Sequence, residues 1–397
     1  MSTRSAEEQL ALLTRGIATI HSEAELLSKL QEGRPLRAKL GVDPTAPDIH
    51  LGHTVAMEKL RQFQELGHTA VLIIGDFTAM IGDPTGRSAT RPPLTHDEVM
   101  RNADTYTAQA FKVLDRSKTE VVYNGSWFKR MDFAEVVRLC SRVTLQQMLQ
   151  REDFRARLDG GTEVRLHEIL YPIMQGWDSV EIRSDVELGG TDQLFNILVG
   201  RDLQKAAGLP QQVVMTVPIL EGTDGVRKMS KSYGNYIGVD EPAAEIFGKT
   251  MRISDELMAR YYALLLGEEL DPAAHPNEAK KALAQRLAAR YAGTEAADAA
   301  RADWDRRFSG KDLSQVDLPV FSPQEGAGLV ALVAAAYASI GERKSNSDVR
   351  RLIEQGSIQI TPAGAAEAEK LTDPKATPAL PSGAVLRLDK KRAVRIG

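Results

Sequence analysis

"LRAKLGVDPTAPDIHLGHTVAMEKLRQFQELGHTAVLIIGD", residues 36–76, holds two short apolar runs with a helical pattern between them. Residues 36–42 and 70–76 read as buried strands. Between them Val55, Met57, Leu60, Phe63 and Leu66 recur near helical spacing. Strand, helix and strand in that order form a βαβ unit, which implies a parallel sheet. "QVVMTVPIL" (212–220), with valine and threonine at its centre, is expected as a later strand of the same sheet. The expected fold class is therefore α/β, a Rossmann-like doubly wound parallel sheet over residues 1–240, with an insertion at about 120–160.

Working outward, the pattern turns helical after residue 240. "AAEIFGKTMR", "DELMARYYALLL", "NEAKKALAQRLAARYAG" and "EAADAARADWDRRF" are rich in alanine, leucine, lysine and glutamate, good helix formers. A linker is expected over 307–325, punctuated by Gly310, Pro319, Pro323 and Gly326. The expected domains are thus 1–240, an α-helical domain with its linker at 241–325, and a small α+β domain at 326–397.

The 397 residues carry a formal net charge of −4, with 43% hydrophobic and 26% charged residues. That balance argues against a protein that coats nucleic acid by general electrostatics. Residues 340–397, however, hold 11 Lys/Arg against 7 Asp/Glu, a basic appendage on an acidic body. Such an asymmetry points to a polyanionic partner or, more plainly, to a solvated basic face. A single cysteine, Cys140, excludes an intramolecular disulfide and a multi-cysteine zinc site. "MSTRSAEEQLALLTRG" has no apolar signal-peptide core, and no apolar run approaches the ~18 residues of a membrane span. No membrane association and a cytoplasmic location are expected.

Chemistry concentrates in two places. In "GVDPTAPDIHLGHTV" (41–55), His50 and His53 stand three apart where a helix begins, so they share a face. Free N–H groups and the positive dipole end make a helix N-terminus a phosphate site, and Gly52 allows close approach. A zinc pair or two surface histidines would read the same way, although no cysteine cluster or H-E-x-x-H supports zinc. The second place is "KMSKS" (228–232), between Gly225 and Gly234. Its lysines could embrace a polyphosphate on a loop free to move, or simply decorate a solvated turn. "GDPTGRS" (82–88) is one residue short of a Walker loop and has arginine for its lysine, so it is rejected as a P-loop. No G-x-G-x-x-G follows the first strand.

"HLGH" followed 178 residues later by "KMSKS" resembles the paired signatures of the class I aminoacyl-tRNA synthetases. "IGDPTGRS" (81–88), "YPIMQGWDS" (171–179) and "ELGGTDQLFN" (187–196) narrow the resemblance to the bacterial tyrosyl-tRNA synthetases, over most of 30–240. "KSNSDVRRLIEQGSIQI" (344–360) is similar to the S4 RNA-binding module that many of them carry. The resemblance implies a tyrosine--tRNA ligase. Tyrosine would attack ATP, with Mg2+ accompanying it and no protein-bound metal site, giving tyrosyl-adenylate and pyrophosphate. The tyrosyl group would then pass to the 3′-terminal adenosine of tRNA(Tyr).

Site roles follow from that resemblance. His50, His53, Lys228, Lys231, Arg87 and Arg91 are expected to be catalytic. Asp43, Thr45, Gly52, Gly190, Asp192, Met229 and Ser232 would join His50, His53 and Lys231 around ATP. Lys39, Asp83, Asn124, Tyr171, Gln175, Asp178 and Gln193 would hold tyrosine. Tyr171, Gln175 and Asp178 fall on one helical face, with Pro172 expected in a first turn. Asp178 would accept the phenolic proton and so reject phenylalanine. Lys39 departs from the tyrosine common at its position, and would anchor an acidic group such as Asp178 or replace the donor.

In the tail, Val349, Leu352 and Ile353 form an apolar stripe that turns Arg350 and Arg351 towards tRNA, capped by Ser347 or Asn346. The following "ITPAGAAE" departs from the Asn-Gly usual in S4 modules. By family analogy residues 241–306 would approach the anticodon. A homodimer is expected, with residues 126–150 as its candidate interface. Other readings are a tryptophanyl-tRNA synthetase, a nucleotidyltransferase that does not use tRNA, and a non-catalytic RNA-binding descendant of a synthetase.

Overall fold

The computed structural model describes residues 4–83, 94–308, 318–324, 326–365, 368–389 and 392–397. These fall into two compact units, Met1–Thr294 and Glu295–Gly397.

The first unit is built on six strands: β1 (Thr19–His21), β2 (Arg37–Val42), β3 (Thr69–Ile74), β4 (Thr119–Tyr123), β5 (Val186–Gly190) and β6 (Val213–Val217). Their order across the sheet is β1-β6-β5-β2-β3-β4. All neighbours are parallel except β1, which runs antiparallel to β6 at the edge. The expected strands at 36–42, 70–76 and 212–220 are present with slightly shifted ends. Sequence order moves outward from β2 to β4 on one side and from β5 to β6 on the other. The chain therefore reverses between β2 and β5, where an open α/β sheet leaves a crevice.

The helix Leu51–Glu65 fills the crossover from β2 to β3 and buries Leu51, Val55, Met57, Leu60 and Phe63. Between β4 and β5 the chain forms helices Gly125–Phe128, Phe133–Cys140, Leu145–Met148, Glu152–Asp159 and Leu166–Glu181. The last begins at Leu166, so Pro172 lies inside it and not in its first turn. Proline there lacks the N–H that would bond back one turn, so that stretch is held by packing. The contact is with helix Leu194–Ala206, backbone to backbone. A Cβ on Gly176 would stand 2.9 Å from the amide nitrogen of Gly200. That close approach sets Gln175 and Asp178 against the sheet. Helices Ala6–Thr14, Glu23–Gln31, His96–Ala110, Ala243–Thr250, Asp255–Tyr261 and Pro276–Ala292 also belong to the unit.

The second unit is α+β. Its sheet runs β7-β11-β10-β8-β9, from β7 (Val320–Phe321), β8 (Gln359–Thr361), β9 (Glu369–Lys370), β10 (Val385–Arg387) and β11 (Ala393–Ile396). Residues 320–321, within the stretch expected as linker, pair with β11 because Phe321 belongs to this unit's core. Helices Leu329–Ser339 and Asn346–Glu354 pack on it through Leu329, Val333, Tyr337, Val349 and Ile353. The cap of the second helix is Ser345, whose hydroxyl accepts the Asp348 amide, and not Ser347 or Asn346. Both of the latter lie past the N-cap, too far along to receive that N–H.

Candidate active site

A cavity of about 400 Å³ opens where β2 and β5 separate. Asp43, Thr45, His50, Gly52, His53, Asp83, Asn124, Tyr171, Gln175, Asp178, Gly190, Asp192, Gln193, Lys228 and Met229 all line it. Six separate chain segments thus converge, five of them carrying the motifs read from the sequence. Lys39, Lys231 and Ser232 do not line the cavity, and Ser232 is exposed. Arg350 and Arg351 belong to the other unit. Arg87 and Arg91 lie outside the described residues.

One end of the cavity is built around buried carboxylates. Asp178 is 3% exposed; its Oδ1 accepts the Trp127 indole N–H at 3.0 Å, and its Oδ2 lies 3.4 Å from Asn124 Nδ2. Asn124 is held in turn, accepting the Phe77 amide and donating to Thr78 Oγ1, each at 3.0 Å. Burial, more than any charge, pushes the Asp178 carboxyl up to about 7. Gln193 Nε2 donates to Asp83 at 2.8 Å, and Asn196 donates to both Gln193 and Gln175. Tyr171 donates its hydroxyl to Asp43 Oδ2 at 2.9 Å, while Thr78 donates to Asp43 Oδ1 at 2.7 Å. Asp43 therefore joins Tyr171 to Thr78 and, through Thr78, to Asn124.

Lys39 anchors an acidic group, as one of the two expectations had it, but that group is Glu187. Its Nζ sits 3.0 Å from Glu187 Oε1 and does not pair with Asp178. Lys39 and Glu187 are register partners on β2 and β5, so their side chains leave the same face side by side.

His50 caps the helix Leu51–Glu65. Its ring stacks on His53, centroids 3.8 Å apart. The His53 Nδ1 accepts the backbone N–H of His50 at 3.2 Å, which leaves Nε2 as the protonated nitrogen. Burial lowers His50 to about 2 and His53 to about 4, with each ring further disfavoured by nearby Lys231 and Lys228. Both rings are neutral at pH 7. They can donate hydrogen bonds to an anion without carrying charge, and among the described residues the cations beside them are Lys228 and Lys231. Among the described residues His50 Nδ1 is buried and has no hydrogen-bond partner.

The KMSKS segment is less bare than its glycines suggested. Gly225 and Gly234 sit at φ +69° and +65°, so glycine is needed there for left-handed turns. Asn235, 4% exposed, accepts the Ser230 amide and donates to the Lys228 carbonyl and Asp224. Met229 is buried, and its Sδ receives the Gly52 N–H at 3.3 Å. The two signatures therefore touch through Met229 and Gly52. Lys231 pairs with Asp48, and Lys228 Nζ lies 3.7 Å from Asp192. Burial raises the Asp192 carboxyl, and Lys228 opposes that shift.

Trp127, Thr78, Glu187, Asn235 and Asp48 escaped the reading of the sequence. Only Glu187 left a signal there, an acid within the apolar strand "DVELGG". Among the described residues no group of three or more His, Cys, Asp or Glu is placed to hold a metal. Nor is any helix among them long and apolar enough to cross a membrane.

Comparison with known proteins adds three findings. The family "tRNA synthetases class I (W and Y)" matches residues 31–309. Tyrosine--tRNA ligases of Oleidesulfovibrio alaskensis and Francisella tularensis are 49% and 46% identical to this chain. The first match covers 98% of both chains and the second 99% of both. A tyrosyl-tRNA synthetase structure from Archaeoglobus fulgidus, complexed with L-tyrosine, matches with TM-score 0.59 at 25% identity. That match covers 75% of this chain and 100% of that one.

Proposed function

The chain belongs to the class I tRNA synthetases, among the tyrosine--tRNA ligases, and we propose from that premise how its residues divide the work. The reaction is activation of tyrosine by ATP, followed by transfer of the tyrosyl group to tRNA. The single observation that carries the division of roles is one cavity with buried Asp178 at one end and the HLGH and KMSKS residues at the other.

Tyrosine lies with its phenol towards Asp178 and its ammonium group near Asp83, Tyr171 and Gln175. Its carboxylate then faces the nucleotide end, aligned for attack on the α-phosphorus of ATP. The neutral His50 and His53 donate to phosphate oxygens, and Lys228 and Lys231 meet the charge that grows on the departing pyrophosphate. Asp192 takes the ribose. Mg2+ arrives as part of the ATP substrate, bound by its phosphates. The test is amino-acid-dependent exchange of pyrophosphate into ATP without tRNA. Exchange with tyrosine but not tryptophan or phenylalanine is the expected result. Exchange with tryptophan would overturn the substrate, and none with any of the three would overturn the mechanism.

The partner is tRNA(Tyr), met by the S4-like 326–397 domain through the exposed Arg350 and Arg351 and by the helical region 241–306 near the anticodon. Reversing both charges (Arg350→Glu, Arg351→Glu) is expected to raise the KM for tRNA about tenfold or more while leaving pyrophosphate exchange unchanged. Equal loss in both assays would remove the RNA role from these side chains.

The enzyme works as a homodimer in the cytoplasm. Phe133 is 83% exposed and Val137 and Leu145 about half exposed, an apolar surface within 126–150 that a second copy would cover. Phe133→Asp is expected to shift the protein to monomer in light scattering. A dimer of unchanged stability would place the interface elsewhere.

A further inference from the structure

Behind the cavity wall, Lys39 and Glu187 form an ion pair in which each side chain is only 1% exposed. Neither lines the cavity. Desolvating two charges is costly unless hydrogen bonds support them, and both members of this pair have such partners. Glu187 Oε2 accepts the Ser179 hydroxyl at 2.9 Å and the Gln212 amide. Glu187 Oε1 faces Lys39 at 3.0 Å and Gln175 Nε2 at 3.4 Å. Lys39 also donates to the Gln175 carbonyl at 3.3 Å. Gln175 and Ser179 flank Asp178 on the helix Leu166–Glu181, so the pair grips that helix on both sides of Asp178.

We propose that Lys39 and Glu187 are positioning residues for tyrosine: they clamp the helix around Asp178, and their two opposed charges bear from opposite directions on the state in which Asp178 meets the phenol. The proposal rests on the reading of Asp178 as the phenol's partner. The groups that face Asp178 come from every side. Lys39 and Glu187 project from β2 and β5, Trp127 and Asn124 come from the segment after β4, and Tyr171 stands on its own helix with Asp43 and Asp83 near it. Burial foremost, and Glu187, raise the Asp178 carboxyl; Lys39 is the strongest influence lowering it, followed by Asn124 and Trp127.

The signs give an ordered test. In the intact protein kcat/KM for tyrosine in pyrophosphate exchange should rise with pH, with its midpoint at about 7. Glu187→Gln leaves Lys39 unopposed, so the midpoint should move about one unit towards acid. Lys39→Met with Glu187→Met removes both charges and, with them, the stronger lowering influence, so its midpoint should move towards alkali. An apolar pair of similar size commonly keeps a fold intact, which protects the test from simple unfolding. Tyrosine affinity by equilibrium dialysis over the same pH range supplies a second readout that does not need turnover. Midpoints that coincide in all three folded proteins, or that move in the same direction in both variants, would overturn the proposal. Absence of tyrosine-dependent exchange in the unmodified protein would instead defeat the functional reading before any variant is compared.

Discussion

Lys228→Ala and Lys231→Ala are each expected to slow tyrosine-dependent pyrophosphate exchange roughly 10²–10³-fold, with tyrosine affinity nearly unchanged. The argument starts from charge. Transfer of the adenylyl group leaves negative charge on pyrophosphate, and a site stabilises it only with donors and cations already in place. His50 and His53 are neutral at working pH, pressed down to about 2 and about 4 by burial and by the neighbouring lysines. On the proposed reading they would orient phosphate without neutralising it, which leaves the charge to Lys228, on the cavity wall, and to Lys231 beside the histidines.

Each lysine has a carboxylate beside it, Lys228 near Asp192 and Lys231 against Asp48. Both carboxylates have to yield as phosphate arrives. A contact made mainly in the transition state lowers kcat when lost, whereas one made equally in the ground state raises KM alone. A rise confined to the KM for ATP would therefore assign the lysines to nucleotide binding and remove them from the chemistry. Asp48→Asn offers a contrast. It frees Lys231 from its resting partner and should lower the KM for ATP.

Asp178→Asn is expected to collapse the preference for tyrosine over phenylalanine. A site built to hydrogen-bond a substrate hydroxyl can reject the analogue lacking it by about 10⁴–10⁵, a scale for which tyrosyl-tRNA synthetases are themselves the reference case. Trp127 donates to Asp178 Oδ1 and Asn124 Nδ2 lies 3.4 Å from Oδ2, so the phenol would share Oδ2 with Asn124. An asparagine whose oxygen stays with Trp127 would present an NH2 group to Asn124 and to the phenol, a donor where an acceptor is needed. Tyrosine should lose most of its kcat/KM and phenylalanine little, as read by exchange with each amino acid. Retained selectivity would mean that shape, and not Asp178, excludes phenylalanine. The same logic makes selectivity pH-dependent in the unmodified protein. Below about pH 7 the protonated Asp178 carries no charge to leave unpaired, so discrimination should fall as pH falls.

Local pattern exposed much of this protein. Helical spacing from Val55 to Leu66 between two apolar runs determined the βαβ unit and hence the parallel sheet, because burying both faces of a strand demands such runs. Turn residues and paired histidines at a helix start marked the proposed nucleotide end without any knowledge of the sheet. The i, i+4, i+7 spacing of Tyr171, Gln175 and Asp178 placed them on one face, and the helix bears this out although Pro172 lies deeper in it than expected.

What tertiary structure alone decided is every pairing between distant segments. Lys39 finds Glu187 and not Asp178 because β2 and β5, far apart in the chain, are neighbours in register at the point where the sheet order reverses. Trp127 reaches Asp178 from an intervening helix, and Met229 packs on Gly52 across 177 residues of sequence. Protonation belongs to the same class. Nothing in "HLGH" or "GWDS" says that the histidines stay neutral or that Asp178 titrates near 7. Burial sets both, and burial exists only once the chain has closed around the residues.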